Sequence, residues 1–253
     1  MTDFKEIPNN DIRFVADTHF RSRKVPGEAR RRDLFIRFLR SLPDGGALFL
    51  LGDIFDFYFE YRSVVGKRFV DLFAELLACR ERGIEMHFLG GNHDYWVGDF
   101  ITEGLGMTIH WNEIFISAQG RKIVCAHGDL AMPGDWGYKF VRPFIRNRLL
   151  IGASRWIHPD LMDAIARAVA TGSRKMSKAP QEANARRVAE RAHREFYARG
   201  NNAFIMGHVH YPLLDSRDGN DFMLVGDWFE SFTYGRLSDG ELTLNCFKDE
   251  VRD

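Results

Sequence analysis

Short apolar runs bounded by Gly, Asp and Asn alternate with amphipathic helical stretches through the first half of the chain. Residues 12–16, 47–51, 84–89 and 122–126 have the length and flanking turn residues of buried strands. Between the second and third, Phe69, Leu72, Phe73, Leu76 and Leu77 recur at helical spacing, and Gly83 is placed to end that helix. This alternation predicts an α/β fold with helices covering the faces of the sheet. From about residue 138 to 199 the strand signal gives way to a basic helical stretch interrupted by Pro143, Pro159, Gly172 and Pro180. It returns at residues 203–206, and residues 221–247 read as several antiparallel strands with a turn at Asp239-Gly240. The helical stretch, about 137–199, reads as an insertion into a single domain spanning 1–253.

Composition narrows this picture. At 45% hydrophobic and 28% charged over 253 residues, the chain is too apolar for intrinsic disorder, and it has no apolar run long enough for a membrane-spanning helix. The net charge is zero, yet residues 137–199 hold fourteen Lys or Arg against five Asp or Glu, so a basic surface is set beside an acidic remainder. Cys79, Cys125 and Cys246 lie far apart among apolar neighbours and read as reduced core residues. The first six residues lack the basic-then-apolar layout of a secretion signal, from which a cytoplasmic location is expected.

Five of the strand candidates are followed at once by a polar cluster: Asp17-Thr18-His19, Gly52-Asp53-Ile54-Phe55-Asp56, Gly90-Gly91-Asn92-His93-Asp94, His127-Gly128-Asp129 and Gly207-His208-Val209-His210. Ligands of α/β sheets bind beyond the carboxyl ends of the strands, where such loops converge. Taken singly, an Asp-x-His or Gly-Asp after a strand is ordinarily a cap or a turn. All five in order describe a pocket of carboxylate, amide and imidazole donors, the chemistry of a two-metal site for Mn, Fe, Zn or Co. Two adjacent dications need a carboxylate between them, and Asp53 is the candidate bridge.

These blocks resemble the signature of the calcineurin-like metallophosphoesterase superfamily: D-x-H, G-D-x-x-D, G-N-H-D, a His block and G-H-x-H. The resemblance implies a four-layered α/β/β/α fold with two divalent ions, for which the family favours Mn²⁺. One metal would be held by Asp17, His19, Asp53 and His210, the other by Asp53, Asn92, His127 and His208. It also implies hydrolysis of a phosphoester, with His93 over the leaving-group oxygen and Asp94 orienting its imidazole. Asp56 and Asp129 are read as hydrogen-bond acceptors outside the metal set, and His87, His110, His158 and His193 as core or surface residues.

The insertion carries a second resemblance. Its interleaved apolar and Arg residues, the element Asp135-Trp136-Gly137-Tyr138 and the chain length are similar to the UDP-2,3-diacylglucosamine pyrophosphohydrolase family of lipid A synthesis. In that family the insertion is a lid over the acyl chains. By position Asp135, Tyr138 and Ser173 match substrate contacts, with Arg174, Asn184 and Arg187 as further candidates. The implied reaction releases UMP and an acylated sugar phosphate, at an anionic membrane surface and without nucleic acid as partner. The best-known branch of the family has Arg at the position of His93. Another phosphodiesterase, a nuclease or a protein phosphatase of the same superfamily stays open, as does, more remotely, a non-catalytic scaffold.

Overall fold

The computed structural model describes residues 4–22, 25–129, 147–162, 164–165, 181–195, 197 and 200–250. Two six-stranded sheets pack face to face. The centre of the first is formed by three parallel strands, β2 (Asp11–Val15), β3 (Ala47–Leu50) and β4 (Glu85–Leu89). The parallel strand β5 (Thr108–His110) extends it beyond β4, and a hairpin of β11 (Thr233–Ser238) and β12 (Glu241–Cys246) extends it beyond β2. The second sheet runs in the order β1 (Lys5–Glu6), β6 (Ile114–Ala118), β7 (Arg121–Ala126), β8 (Ala203–Met206), β10 (Asn220–Leu224) and β9 (Leu213–Arg217).

The strands are apolar on both faces because both faces are covered. Phe14, Phe49, Leu51 and Leu89 point inward and meet Ile116, Ile123, Cys125, Ile205 and Met223 of the second sheet. Val15, Leu48, Leu50, Met86 and Phe88 point outward, under α1 (Glu28–Arg40) and α2 (Val70–Glu81), which supply Phe35, Phe38, Leu39, Leu72, Phe73 and Leu76. The outer face of the second sheet, with Val124, Phe204, Met206, Phe222 and Leu224, is covered by Ala185, Val188, Ala189 and Ala192 of a helix at Gln181–Glu195. The result is the expected α/β/β/α order of layers.

Residues 181–195, within the stretch read as an insertion, thus form the fourth layer of the sandwich. The physical signature of this helix is a stripe of Ala at helical spacing, small enough for a helix to lie close on a sheet. The insertion's earlier described part contains α3 (Arg148–Ser154), so the Gln181–Glu195 helix is α4 and a final turn at Phe247–Glu250 is α5. Among the C-terminal strands, β10 pairs antiparallel with β9 and also parallel with β8 in the second sheet, while β11 and β12 form an antiparallel hairpin in the first, turning at Asp239 (φ 53°) and Gly240 (φ 78°).

Register sets the site. Val15 lies opposite Leu50 and Leu50 opposite Phe88, while Ala126 lies opposite Met206 and Met206 opposite Leu224. The central parallel strands of each sheet therefore end level, and the loops that follow them open onto one edge of the sandwich.

Candidate metal centre

Each chemical side chain sits within a few residues of a strand's carboxyl end. Asp17, His19, Asp53, His208 and His210 all adopt left-handed backbone conformations, with φ between 43° and 70°. For residues with a Cβ this costs on the order of 1 kcal/mol each or more, so the surroundings must impose it. They do so with backbone bonds between loops: Asp17 N–H donates to Gly52 O (3.1 Å), His19 N–H to Asp53 O (2.9 Å) and Trp228 N–H to Asp17 O (3.3 Å). Two glycines are required by close approach. A Cβ on Gly91 would lie 2.2 Å from Asp53 Oδ1, and one on Gly207 would lie 2.5 Å from Asp17 Oδ2.

Three sets of side chains each bring ligand atoms within 4.8 Å of one another: Asp17, His19 and His210; His19, Asp53 and His93; and Asp53, His127 and His208. Asp53 Oδ2 lies 3.7 Å from His19 Nε2 on one side and 3.5 Å from His127 Nε2 on the other. His127 donates from Nδ1 to the Leu51 carbonyl (2.9 Å), which fixes its tautomer and turns Nε2 inward, 3.0 Å from Asn92 Oδ1. Nε2 of His19 and Nε2 of His210 face each other at 3.3 Å beside Asp17 Oδ1. Asp17 Oδ2 accepts from the His208 amide at 2.6 Å, but Oδ1 is buried with no hydrogen-bond partner.

Charge in this pocket is arranged for cations. Burial works against the charged forms of Asp17 and Asp53, yet His210 and His19 beside the first, and His127 and His93 beside the second, hold both well below the ordinary carboxylate range. Burial and its neighbour His127 push His208 down to about 4, and burial also lowers His19, so both offer free lone pairs. His127 is the counterpart: burial opposes its protonation, but Asp53, Asp17 and Asp129 outweigh that and raise it to about 10. Ionised carboxylates, neutral imidazoles and an orphaned carboxylate oxygen fit a pair of divalent ions of the imidazole-binding kind.

A calcineurin-like phosphoesterase profile matches residues 11–212, a span that takes in every one of these loops. The chain belongs to the calcineurin-like phosphoesterases. It is 28% identical to the UDP-2,3-diacylglucosamine hydrolase of Porphyromonas gingivalis, over 94% of this chain and 98% of that protein. It is also 28% identical to the enzyme of the same name from Aeromonas salmonicida, over 91% of each. Among solved structures it is similar to vacuolar protein sorting 29 of Cryptosporidium parvum, at 12% identity and a TM-score of 0.44, covering 94% of this chain and 97% of that one.

Within this phosphoesterase one expected contact is replaced by another. Asp94 does not orient His93. The His93 Nδ1–H donates instead to the Asp56 carbonyl (2.8 Å), leaving Nε2 towards Asp53 Oδ2 at 4.0 Å. Asp94 is fully buried and accepts from four backbone amides: Ile54 (2.6 Å), Gly91 (3.0 Å), Asp53 (3.1 Å) and Phe55 (3.3 Å). It ties the Asp53 loop to the Asn92 loop, and burial together with the Asp53 charge raises its carboxyl to about 7. The Asp56 carboxylate lies 4.0 Å from His19 Nδ1.

Of the expected substrate contacts, Asp135, Tyr138, Ser173 and Arg174 lie outside the described residues. Asn184 and Arg187 are placed in the N-terminal half of α4, half-buried and exposed respectively. Because α4 precedes β8, which runs parallel to β7, the start of this helix lies at the same end of the sandwich as the site loops. Phe229, which the sequence places by default in the core, instead borders the metal centre. Phe229 packs its ring 5.3 Å from that of His210 and 6.1 Å from that of His19. Its loop is shaped by Asp227, whose Oδ1 accepts from the amides of Phe229, Glu230 and Ser231. A signal existed, since Gly226-Asp227 follows the apolar end of β10 just as the other clusters follow their strands.

Proposed function

We propose that this phosphoesterase hydrolyses the diphosphate of UDP-2,3-diacylglucosamine, releasing UMP and 2,3-diacylglucosamine 1-phosphate. The observation that carries the reaction class is the Asp53 carboxylate shared between the His19 side and the His127 side of one buried pocket. Support for the substrate comes from relatives of that name that match over nearly their whole length. Asp17, His19, Asp53 and His210 would hold one divalent ion, and Asp53, Asn92, His127 and His208 the other, with Mn²⁺ as the ion of choice. Such ions acidify water towards neutrality and withdraw charge from phosphoryl oxygens. The chain's own part is to hold Asp17 and Asp53 ionised and His19 and His208 neutral, through the contacts above, and to place a proton donor. His93 serves as that donor, since its Nδ1 is anchored on Asp56 and its Nε2 is free to meet the leaving oxygen. Asp135, Tyr138, Ser173, Arg174, Asn184 and Arg187 are proposed to hold the substrate.

The earlier part of the insertion, from about residue 137, is proposed as the lid and as a contact with an anionic membrane on its cytoplasmic side. Leu149 and Trp156 are 83% and 84% exposed there, beside exposed Leu150, Leu161 and Ile165, an apolar surface a bilayer can cover. No helix among the described residues is long and apolar enough to cross a membrane.

The test is turnover by metal-stripped protein, with and without Mn²⁺, on UDP-2,3-diacylglucosamine and on an aryl phosphodiester, with Asp53→Ala as control. Metal-dependent UMP release far above aryl turnover, abolished in the control, is expected. Aryl turnover without UMP release would reject the substrate, and absence of both would reject the reaction.

A further inference from the structure

The loop that carries Asp17 and His19 is fastened from below by the first turn of α1. Arg31 donates from one terminal nitrogen to the Thr18 carbonyl (2.8 Å) and from the other to the His19 carbonyl (2.9 Å). The second nitrogen also meets Glu28 Oε2 at 2.6 Å, and the other oxygen of Glu28 accepts the Arg21 amide at 2.9 Å. Glu28 is buried and Arg31 nearly so, with the guanidinium lying 5.2 Å from the centre of the Phe20 ring. Residues 28 and 31 share one face of the helix, so a single charge pair grips two carbonyls and one amide on either side of Phe20.

This grip falls where the backbone is least relaxed. Asp17 and His19 both have positive φ, at 52° and 43°. The His19 ring contributes no strong tether of its own: Nδ1 is 4.0 Å from Asp56, and Nε2 faces the site. His127, by contrast, is oriented through its own ring nitrogen by a carbonyl. Planar, forked donation to two successive carbonyls is a property of guanidinium that an ammonium group lacks.

We infer that the Glu28–Arg31 pair is a positioning device for His19, fixing its backbone so that Nε2 meets the Asp17, Asp53 and His210 donors. The inference rests on the dinuclear reading given above, and it concerns one half of the centre: His127 and His208 are held by other loops. Loosening the grip should therefore weaken one metal and spare the other.

The experiment is titration of the metal-free protein with Co²⁺, followed by calorimetry and visible absorption, in wild type, Arg31→Lys and Glu28→Gln. Wild type should bind two equivalents. Each variant should keep one at wild-type affinity and bind the second about 10- to 100-fold more weakly. In a His19→Ala background, Arg31→Lys should add little further loss, because the two act through the same ligand. Equal weakening of both equivalents, no weakening in protein of native circular dichroism, full additivity with His19→Ala, or failure of both variants to fold would overturn the inference. A wild-type chain that binds no metal would overturn the dinuclear centre itself.

Discussion

The Asp53 carboxylate is enclosed by a residue with no side chain, and that is why Gly91 stands next to Asn92. Replacing Gly91 with Ala places a methyl against both the Asp53 carboxylate and its amide, at 2.2 and 2.4 Å. Gly91→Ala should accordingly lose metal binding while keeping its secondary structure, as shown by metal analysis and circular dichroism. His93 makes a contrasting case. Its backbone amide is bound by Asp53 Oδ1 (2.9 Å), but its ring borders the site without being needed to close it. His93→Ala should lower kcat by about 10²- to 10⁴-fold with metal stoichiometry unchanged. Loss of a metal equivalent in that variant would make His93 a ligand instead of a proton donor. Asp94→Ala strands four buried amides and should cost at least about 3 kcal/mol in urea unfolding.

At the scale of elements, the edge where β4 meets β5 pairs a buried imidazole, His87, with a half-buried one, His110. His87 stacks on Phe49, meets His110 Nε2 at 3.0 Å and Glu85 at 3.1 Å, while Lys5 of β1 pairs with the same Glu85. Burial and the Lys5 charge push His87 down to about 4, against attraction from Glu85. The ring is thus neutral in the folded protein and titrates at its ordinary value of 6.5 when unfolded. Unfolding takes up a proton between those two values, so stability falls as pH drops from about 6.5 to 4, by on the order of 3 kcal/mol, and this contribution levels off below. His110, lowered in the same direction by burial, adds to the slope. Urea midpoints across pH 4–7 should show this dependence, and His87→Gln should flatten it. The adjoining elements were legible to different degrees. α2 was visible from its apolar stripe and closed as expected at Gly83 (φ 71°). α1 went unseen because Arg30, Arg31 and Arg32 crowd its first turns, and one of those arginines is turned inward by the loop it holds.

The whole molecule joins an acidic pocket to a basic helical segment whose described part exposes large apolar side chains. If that segment meets a bilayer, the double change Leu149→Ser and Trp156→Ser should weaken sedimentation with anionic liposomes several-fold. It should leave turnover of a water-soluble phosphodiester unchanged. Binding that is equally strong in the double variant would place the membrane contact elsewhere. Both side chains are more than four-fifths exposed, so thermal stability should hardly move.

The sequence by itself determined the class of the fold and the collection of donors. Strand apolarity, turn residues and five polar clusters at strand ends are local features, written in consecutive residues and readable there. What only the tertiary structure decided is how those clusters face one another. The level register of the strands, the division of β10 and β11 between two sheets, and the assignment of α4 to the outer layer all depend on pairings between residues far apart in the chain. So do the Asp94 bonds to four amides, the Phe229 wall and the hold of Arg31 on His19. A side chain's type fixes what it can donate or accept, but its partner is set by packing, and packing is a property of the folded whole.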